Sequence, residues 1–196
     1  MKRKFTESGL PPVFLERLQK LYPDNFAQIQ EAQSATRLTT FRRNSLKTTP
    51  GSLKKLLALE KIETEQVDWN PDAFILKSPN LRQLTETAVY KQGLIYVQSL
   101  SSMLPALILD PQPGEKILDL CAAPGSKTTQ MAALMKNSGE IVANDNSRIR
   151  IYKLEANLKL QGVTNTKVLN EHGEVIWKKY PQYFDRTLVD VPCSME

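Results

Sequence analysis

The sequence predicts an α/β protein in which a small α+β module precedes an incomplete parallel sheet. Three observations predict it. From residue 93 onward, short apolar runs alternate with helical runs, the pattern of right-handed βαβ units. A turn of small residues, Cys121-Ala122-Ala123-Pro124-Gly125, joins one such strand to one such helix. The first 80 residues lack that alternation and are more basic, with 13 Lys+Arg against 9 Asp+Glu, whereas residues 81–196 hold 13 against 12.

The elements follow in order. Residues 13–22 read VFLERLQKLY, and Phe14, Leu18 and Leu21 share one helical face behind Pro11-Pro12, which suit a helix entry. Residues 25–35 are polar and moderately helical. Residues 39–44 form a short strand, Pro50-Gly51-Ser52 a turn with Ser52 as N-cap, and Leu53, Leu56, Leu57 and Lys61 follow at helical spacing. Asp68-Trp69-Asn70-Pro71 breaks the chain before a strand at 74–76, so residues 37–78 read as strand–helix–strand. Beyond the connector, strands are expected at 93–97, 116–120, 140–144, 166–169 and 184–191. Helices are expected at 99–109, 126–135 and 149–160, with one or two helical turns at 174–180. The predicted division is 1–80 for the helical segment and small module, 81–98 for a connector, and 99–196 for the parallel-sheet domain.

Composition excludes several classes. With 41% hydrophobic and 24% charged residues the chain is globular rather than disordered or fibrous. Two cysteines, Cys121 and Cys193, make no disulfide framework, which favours a reducing compartment. The basic start, Met1-Lys2-Arg3-Lys4, leads into polar residues, and no run of about 18 apolar residues follows. A soluble, cytoplasmic chain with no membrane segment and no metal is therefore expected. Its net charge of +5, concentrated in the first half, suits contact with a polyanion.

The turn at 121–125 carries the chemistry. In an open α/β sheet a ligand lies beyond the carboxyl ends of the strands. Small residues let it approach the backbone, and free N–H groups at the helix start face it. The run is not a P-loop, because Ser126 separates Gly125 from Lys127 and position 120 is Leu; nor is it a G-x-G-x-x-G fingerprint. Asp145 follows the next strand, where an acid can accept hydrogen bonds from both hydroxyls of an adenosine ribose. Asp190-Val191-Pro192-Cys193 ends the fourth strand, adjacent to the first in such sheets, and so brings a carboxylate and a thiol to the same rim.

These motifs resemble those of the Sun-type (RsmB-like) RNA cytosine-C5 methyltransferases. DLCAAPGSKTTQ at 119–130 is similar to that family's first motif and DVPCS at 190–194 to its fourth; YVQSLSSMLPALIL at 96–109 is similar to the entry of its catalytic domain, and FRRNSLK at 41–47 to the opening of its RNA-binding module. The resemblance covers roughly residues 35–196. It implies a Rossmann-like class I methyltransferase domain of strand order 3-2-1-4, S-adenosyl-L-methionine as cofactor, and rRNA or tRNA as substrate. By the same resemblance Cys121, Ala122, Ala123, Pro124, Gly125, Ser126 and Lys127 would line the cofactor's methionine and sulfonium end. Asp145 would hold the ribose, and His172, where the family usually has Asp, would lie near the adenine. Asp190 would sit near cofactor and target base, with Cys193 as the family's helper cysteine. Arg42, Arg43 and Lys47 would meet RNA phosphates.

The family's nucleophile is another cysteine, on a fifth strand after a Thr-Cys-Ser-like turn, and no such segment occurs here. The sequence therefore reads as a chain cut short after the fourth motif, with a partner or a missing segment covering the fourth-strand edge. Either Cys193 makes the addition to the base, or this length of chain is inactive. The alternative from another class is a non-catalytic RNA-binding protein that keeps the cofactor-binding half. Other residues have two readings each. Cys121 is equally a small buried residue, Lys127 a solvated helix residue, and Arg42, Arg43 and Lys47 an ordinary solvated edge. Trp69, Tyr90 and Tyr96 serve either for core packing or for base stacking, and His172 is either a general base or a cofactor neighbour.

Overall fold

The structure is a computed structural model that describes residues 10–34, 38–77 and 80–191. It divides at Leu38. Among the described residues, the first unit holds two helices, α1 (Pro12–Leu21) and α2 (Phe26–Ser34). Pro12 opens α1, where its missing N–H costs no hydrogen bond. Phe14, Leu15 and Leu18 are half-buried, whereas Leu21, expected on the same face, is exposed.

The second unit starts at Thr39 and contains two sheets. The first is antiparallel, built from β1 (Thr40–Arg43), β2 (Thr64–Val67), β3 (Asn70–Leu76) and β4 (Ile95–Val97) in the order β2-β3-β1-β4. Its helices are α3 (Pro50–Leu59), α4 (Leu81–Glu86) and α5 (Ala88–Lys91). Phe41, Leu53, Leu57, Ile62, Leu76, Leu84, Val89 and Ile95 form its core. Phe41 and Phe74 are cross-strand partners, and their rings stack at 5.4 Å between centroids. Helix α3 is capped by Thr49, whose hydroxyl accepts the Ser52 N–H at 3.2 Å, so Ser52 is inside the helix rather than its cap.

This sheet revises the expected module in two ways. The break at 68–71 is the turn of a hairpin, because residues 64–67 pair with β3. Strand β4 pairs with β1, Phe41 opposite Val97, so much of the expected connector 81–98 belongs to the first module.

The second sheet is parallel: β5 (Lys116–Asp119), β6 (Glu140–Asn144), β7 (Thr166–Leu169) and β8 (Arg186–Leu188), in the order β7-β6-β5-β8. That is the 3-2-1-4 order expected. Side chains alternate across the pleat. On one face Ile117, Ile141 and Leu188 pack with Ala106 of α6 (Leu100–Leu109) and Met131 and Ala132 of α7 (Ser126–Leu134). Ala143 packs there with Leu154 and Leu158 of α8 (Arg148–Gln161). On the other face Leu118 and Val142 meet Ile176 of α9 (Gly173–Lys179). Helices thus cover both faces, as parallel strands require. No helix among the described residues is long and apolar enough to cross a membrane.

Candidate cofactor site

The carboxyl ends of β5, β6 and β8 open into two adjoining cavities of about 470 and 230 Å³, which share Cys121, Arg150 and Val191 as lining residues. The floor is the turn between β5 and α7. Its backbone is held by the neighbouring strands: Leu120 N–H donates to the Leu188 carbonyl at 3.0 Å and Ala122 N–H to the Asn144 carbonyl at 2.7 Å. Gly125 begins α7 with φ +104°, and a Cβ there would lie 2.9 Å from Leu154 Cδ1. Only glycine satisfies both the backbone and the close packing of α8.

Three carboxylates surround the two cavities. Asp119, the last residue of β5, is 1% exposed and lines it. It accepts the Thr128 hydroxyl at 2.6 Å. Burial above all pushes its carboxyl up to about 6; the Thr128 hydrogen bond and Lys127 oppose that, and Asp190 and Asp145 add to it. Asp145, 2% exposed, lines the smaller cavity. Its Oδ2 accepts the Ala123 N–H at 3.2 Å and faces Arg150 at 3.1 Å, and its Oδ1 accepts the Ser147 N–H at 2.9 Å. Asp190 pairs with Lys127 at 2.5 Å, and the Lys127 ammonium also donates to the Ser102 hydroxyl at 3.2 Å. Two cations therefore face three carboxylates, and Asp119 has neither cation in an ion pair. The arrangement suits a ligand that carries positive charge and hydroxyl groups.

The structure brings the expected site residues together selectively. Cys121, Ala122, Ala123, Pro124, Ser126, Lys127 and Asp190 line the larger cavity, and Asp145 the smaller. Gly125 shapes the turn from behind. Burial and the nearby Asp145 and Asp119 carboxylates push the Cys121 thiol up, away from a reactive thiolate. His172 is exposed and lies outside both linings, while its neighbours Gly173 and Glu174 line the smaller cavity. Cys193 lies outside the described residues. Asp119, Ser102, Asn144 and Arg150 were not among the expected site residues, although Asp119 had a signal, a carboxylate at the end of the strand that enters the turn.

The three basic residues expected at phosphate have other partners. Arg42 is 2% exposed, held between the two sheets by Gln98, Thr129 and the Ser126 carbonyl, so phosphate contact is replaced by a junction role. Arg43 is likewise committed, to Asp72 at 2.6 Å and to the Thr48 carbonyl. Lys47 keeps an exposed position, but its ammonium donates to the Gln92 and Leu160 carbonyls at 2.9 and 2.6 Å. Tyr90 packs against the first core, Tyr96 lies against Arg42, and Trp69 is half-exposed at the β2–β3 turn.

Comparison with known proteins agrees with this geometry. Residues 106–196 match the family model described as 16S rRNA methyltransferase RsmB/F, and residues 10–100 match the N-terminal domain of 16S rRNA methyltransferase RsmF. The chain belongs to the RsmB/F methyltransferase family. Among RsmB/F relatives, a tRNA (cytosine(49)-C(5))-methyltransferase from Pyrococcus abyssi is 48% identical over 79% of this chain and 49% of its own length. Ribosomal RNA small subunit methyltransferase F from Pectobacterium atrosepticum is 39% identical over 98% of this chain and 41% of its own length. The chain thus spans about half the length, or less, of these curated relatives. A solved methyltransferase homolog from Pyrococcus horikoshii superposes with a TM-score of 0.85 at 34% identity, over 96% of this chain and 61% of that one. The parallel sheet described above, in the order β7-β6-β5-β8, is that of a Rossmann-like methyltransferase fold.

Proposed function

We propose that this chain carries the cofactor-binding part of an RNA cytosine-C5 methyltransferase that uses S-adenosylmethionine on rRNA or tRNA. The observation that carries the reading is the paired cavity at the carboxyl ends of β5, β6 and β8, with buried Asp145 beside the small-residue turn. The residues present fit the cofactor. Its ammonium and sulfonium are cationic, and the larger cavity holds a surplus carboxylate, Asp119, without an ion-pair partner among the described residues. Its ribose offers two hydroxyls, and Asp145 is the buried acceptor beside the second cavity.

Bound there, S-adenosylmethionine would supply an electrophilic methyl group. The residues of the chain do the rest. Residues 121–127 exclude water from one side of the cavity. Lys127 holds Asp190 at the rim, where that carboxylate can orient a base that has left its stack. Carbon 5 of cytosine becomes nucleophilic only after a thiolate adds to carbon 6, so a cysteine must approach the same rim. The curated relatives act on cytosine carbon 5 or on small-subunit rRNA, which supports this substrate class for the chain.

Two measurements test the reading. Calorimetric titration with S-adenosylmethionine should show binding by the wild-type chain and its loss in Asp145→Ala; equal affinity for both proteins rejects the site. Incubation with methyl-labelled cofactor and total RNA, followed by nucleoside digestion, should place any label in 5-methylcytidine; label in another nucleoside rejects the reaction.

A further inference from the structure

Arg42 is a buried cation that forms no ion pair among the described residues. Its neighbour Arg43 takes Asp72, whereas Arg42 directs its guanidinium at neutral acceptors. Its Nε donates to Gln98 Oε1 at 2.9 Å. Its Nη2 donates to Thr129 Oγ1 at 2.5 Å and to the Ser126 carbonyl at 3.3 Å. The Tyr96 ring lies below, with its centroid 5.2 Å from the guanidinium carbon. Removing a guanidinium from water is costly, and a well-packed neutral side chain often serves stability as well or better. A buried, unpaired arginine is therefore a poor choice if its only task is to join two sheets.

What distinguishes Arg42 is where its partners sit. Ser126 is the first residue of α7 and lines the larger cavity. Thr129 donates its hydroxyl to the Gly125 carbonyl at 2.7 Å. From β4, the Tyr96 hydroxyl accepts the Asn157 amide at 3.3 Å, and the same amide donates to the Pro124 carbonyl at 2.8 Å. Residues 124–126 are thus gripped from two sides by groups that answer to the first sheet, none of which lines either cavity except Ser126 and Pro124 themselves.

We propose that Arg42 is a positioning residue: through Thr129 and Ser126 it holds the 124–126 turn in the shape that meets the methionine end of the cofactor, so the first sheet sets cofactor affinity without touching the cofactor. The proposal rests on the cofactor reading above. Arg42 acts on the 124–126 side of the turn, whereas Asp145 accepts the Ala123 N–H on the other side and faces the second cavity.

The experiment measures binding of S-adenosylmethionine and of 5′-methylthioadenosine, which lacks the amino-acid end, by calorimetry on the full chain. Three proteins are compared: wild type, Arg42→Met, and Leu57→Ala as a destabilised control in the first core that lines neither cavity. Arg42→Met should weaken S-adenosylmethionine by about tenfold or more, the factor that corresponds to about 1.4 kcal/mol. Methylthioadenosine should change much less, and Leu57→Ala should leave both affinities unchanged. Should Arg42→Met fail to fold, Thr129→Val removes the acceptor on α7 and must show the same selective loss. Unchanged S-adenosylmethionine affinity, equal loss of both ligands, or an equal loss in the Leu57→Ala control overturns the proposal. A wild-type chain that binds neither ligand overturns the cofactor reading, and the proposal with it.

Discussion

Replacing Asp119 with Asn should stabilise the chain at neutral pH while weakening binding of the proposed cofactor. Asp119 is 1% exposed, and burial raises its carboxyl from an ordinary 3.8 to about 6. A folded-state value above the unfolded one means that the ionised form is disfavoured in the fold. The penalty is fully present above pH 6, shrinks as pH falls toward 4, and vanishes below the unfolded value. Raising the carboxyl from 3.8 to about 6 corresponds to roughly 3 kcal/mol at pH 7 and to less than about 1 kcal/mol at pH 4. Asn removes the charge yet keeps an oxygen for the Thr128 hydroxyl, now 2.6 Å from Asp119 Oδ2. At pH 7 the variant should therefore melt up to about 6–12 °C above wild type. By pH 4 the gap should have narrowed by about 2–3 kcal/mol. Thermal and urea denaturation at the two pH values reads this directly. In the same variant S-adenosylmethionine should bind more weakly at pH 7, because the surplus negative charge of the cavity is gone. A variant less stable than wild type at pH 7, or a stability gap equal at both pH values, would refute the argument.

Other substitutions test the scaffold. Gly125→Ala places a Cβ 2.9 Å from Leu154 in a left-handed backbone; a loss of about 1–3 kcal/mol is expected, with cofactor affinity falling alongside. Leu53→Ala, at a fully buried position of α3, should cost about 2–5 kcal/mol in urea denaturation. Arg43→Ala removes the Asp72 pair and the Thr48 carbonyl contact, so it should lower stability by about 1–3 kcal/mol. RNA titrations over a salt series should show an unchanged slope for that variant; a slope flattened by about one would return Arg43 to the phosphate contacts.

The parallel sheet was legible because its signals are local. Each strand is an apolar run, each helix follows at a short distance, and the small-residue turn marks where they meet a ligand. The first module was less so. Residues 64–67, Thr-Glu-Gln-Val, carry no apolar alternation, and only pairing with β3 makes them a strand. Residues 95–97 read as a strand, but their partner, β1, lies more than 50 residues away. The place of Arg42 is hidden from the sequence for the same reason. It alternates with buried Phe41, which suggests a solvated face, yet the second sheet's α7 covers that face. Within the site, Asp145 was readable as the acid after the second strand. Arg150 was not, because a cation five residues into the next segment carries no mark of the carboxylate it will meet.

Strand β4 runs into α6 with only Gln98 and Ser99 between them, and this short passage limits how the chain can be divided experimentally. Gln98 touches Arg42, Ser102 and Gln130, while Gln161 reaches back to the Ile95 carbonyl and Asn44 to the Gln161 carbonyl. A cut there would strip partners from side chains on both fragments and bare the surfaces that had buried them. Either half expressed by itself should be sticky and poorly soluble, so dissection of this protein belongs to point substitutions rather than to scissors.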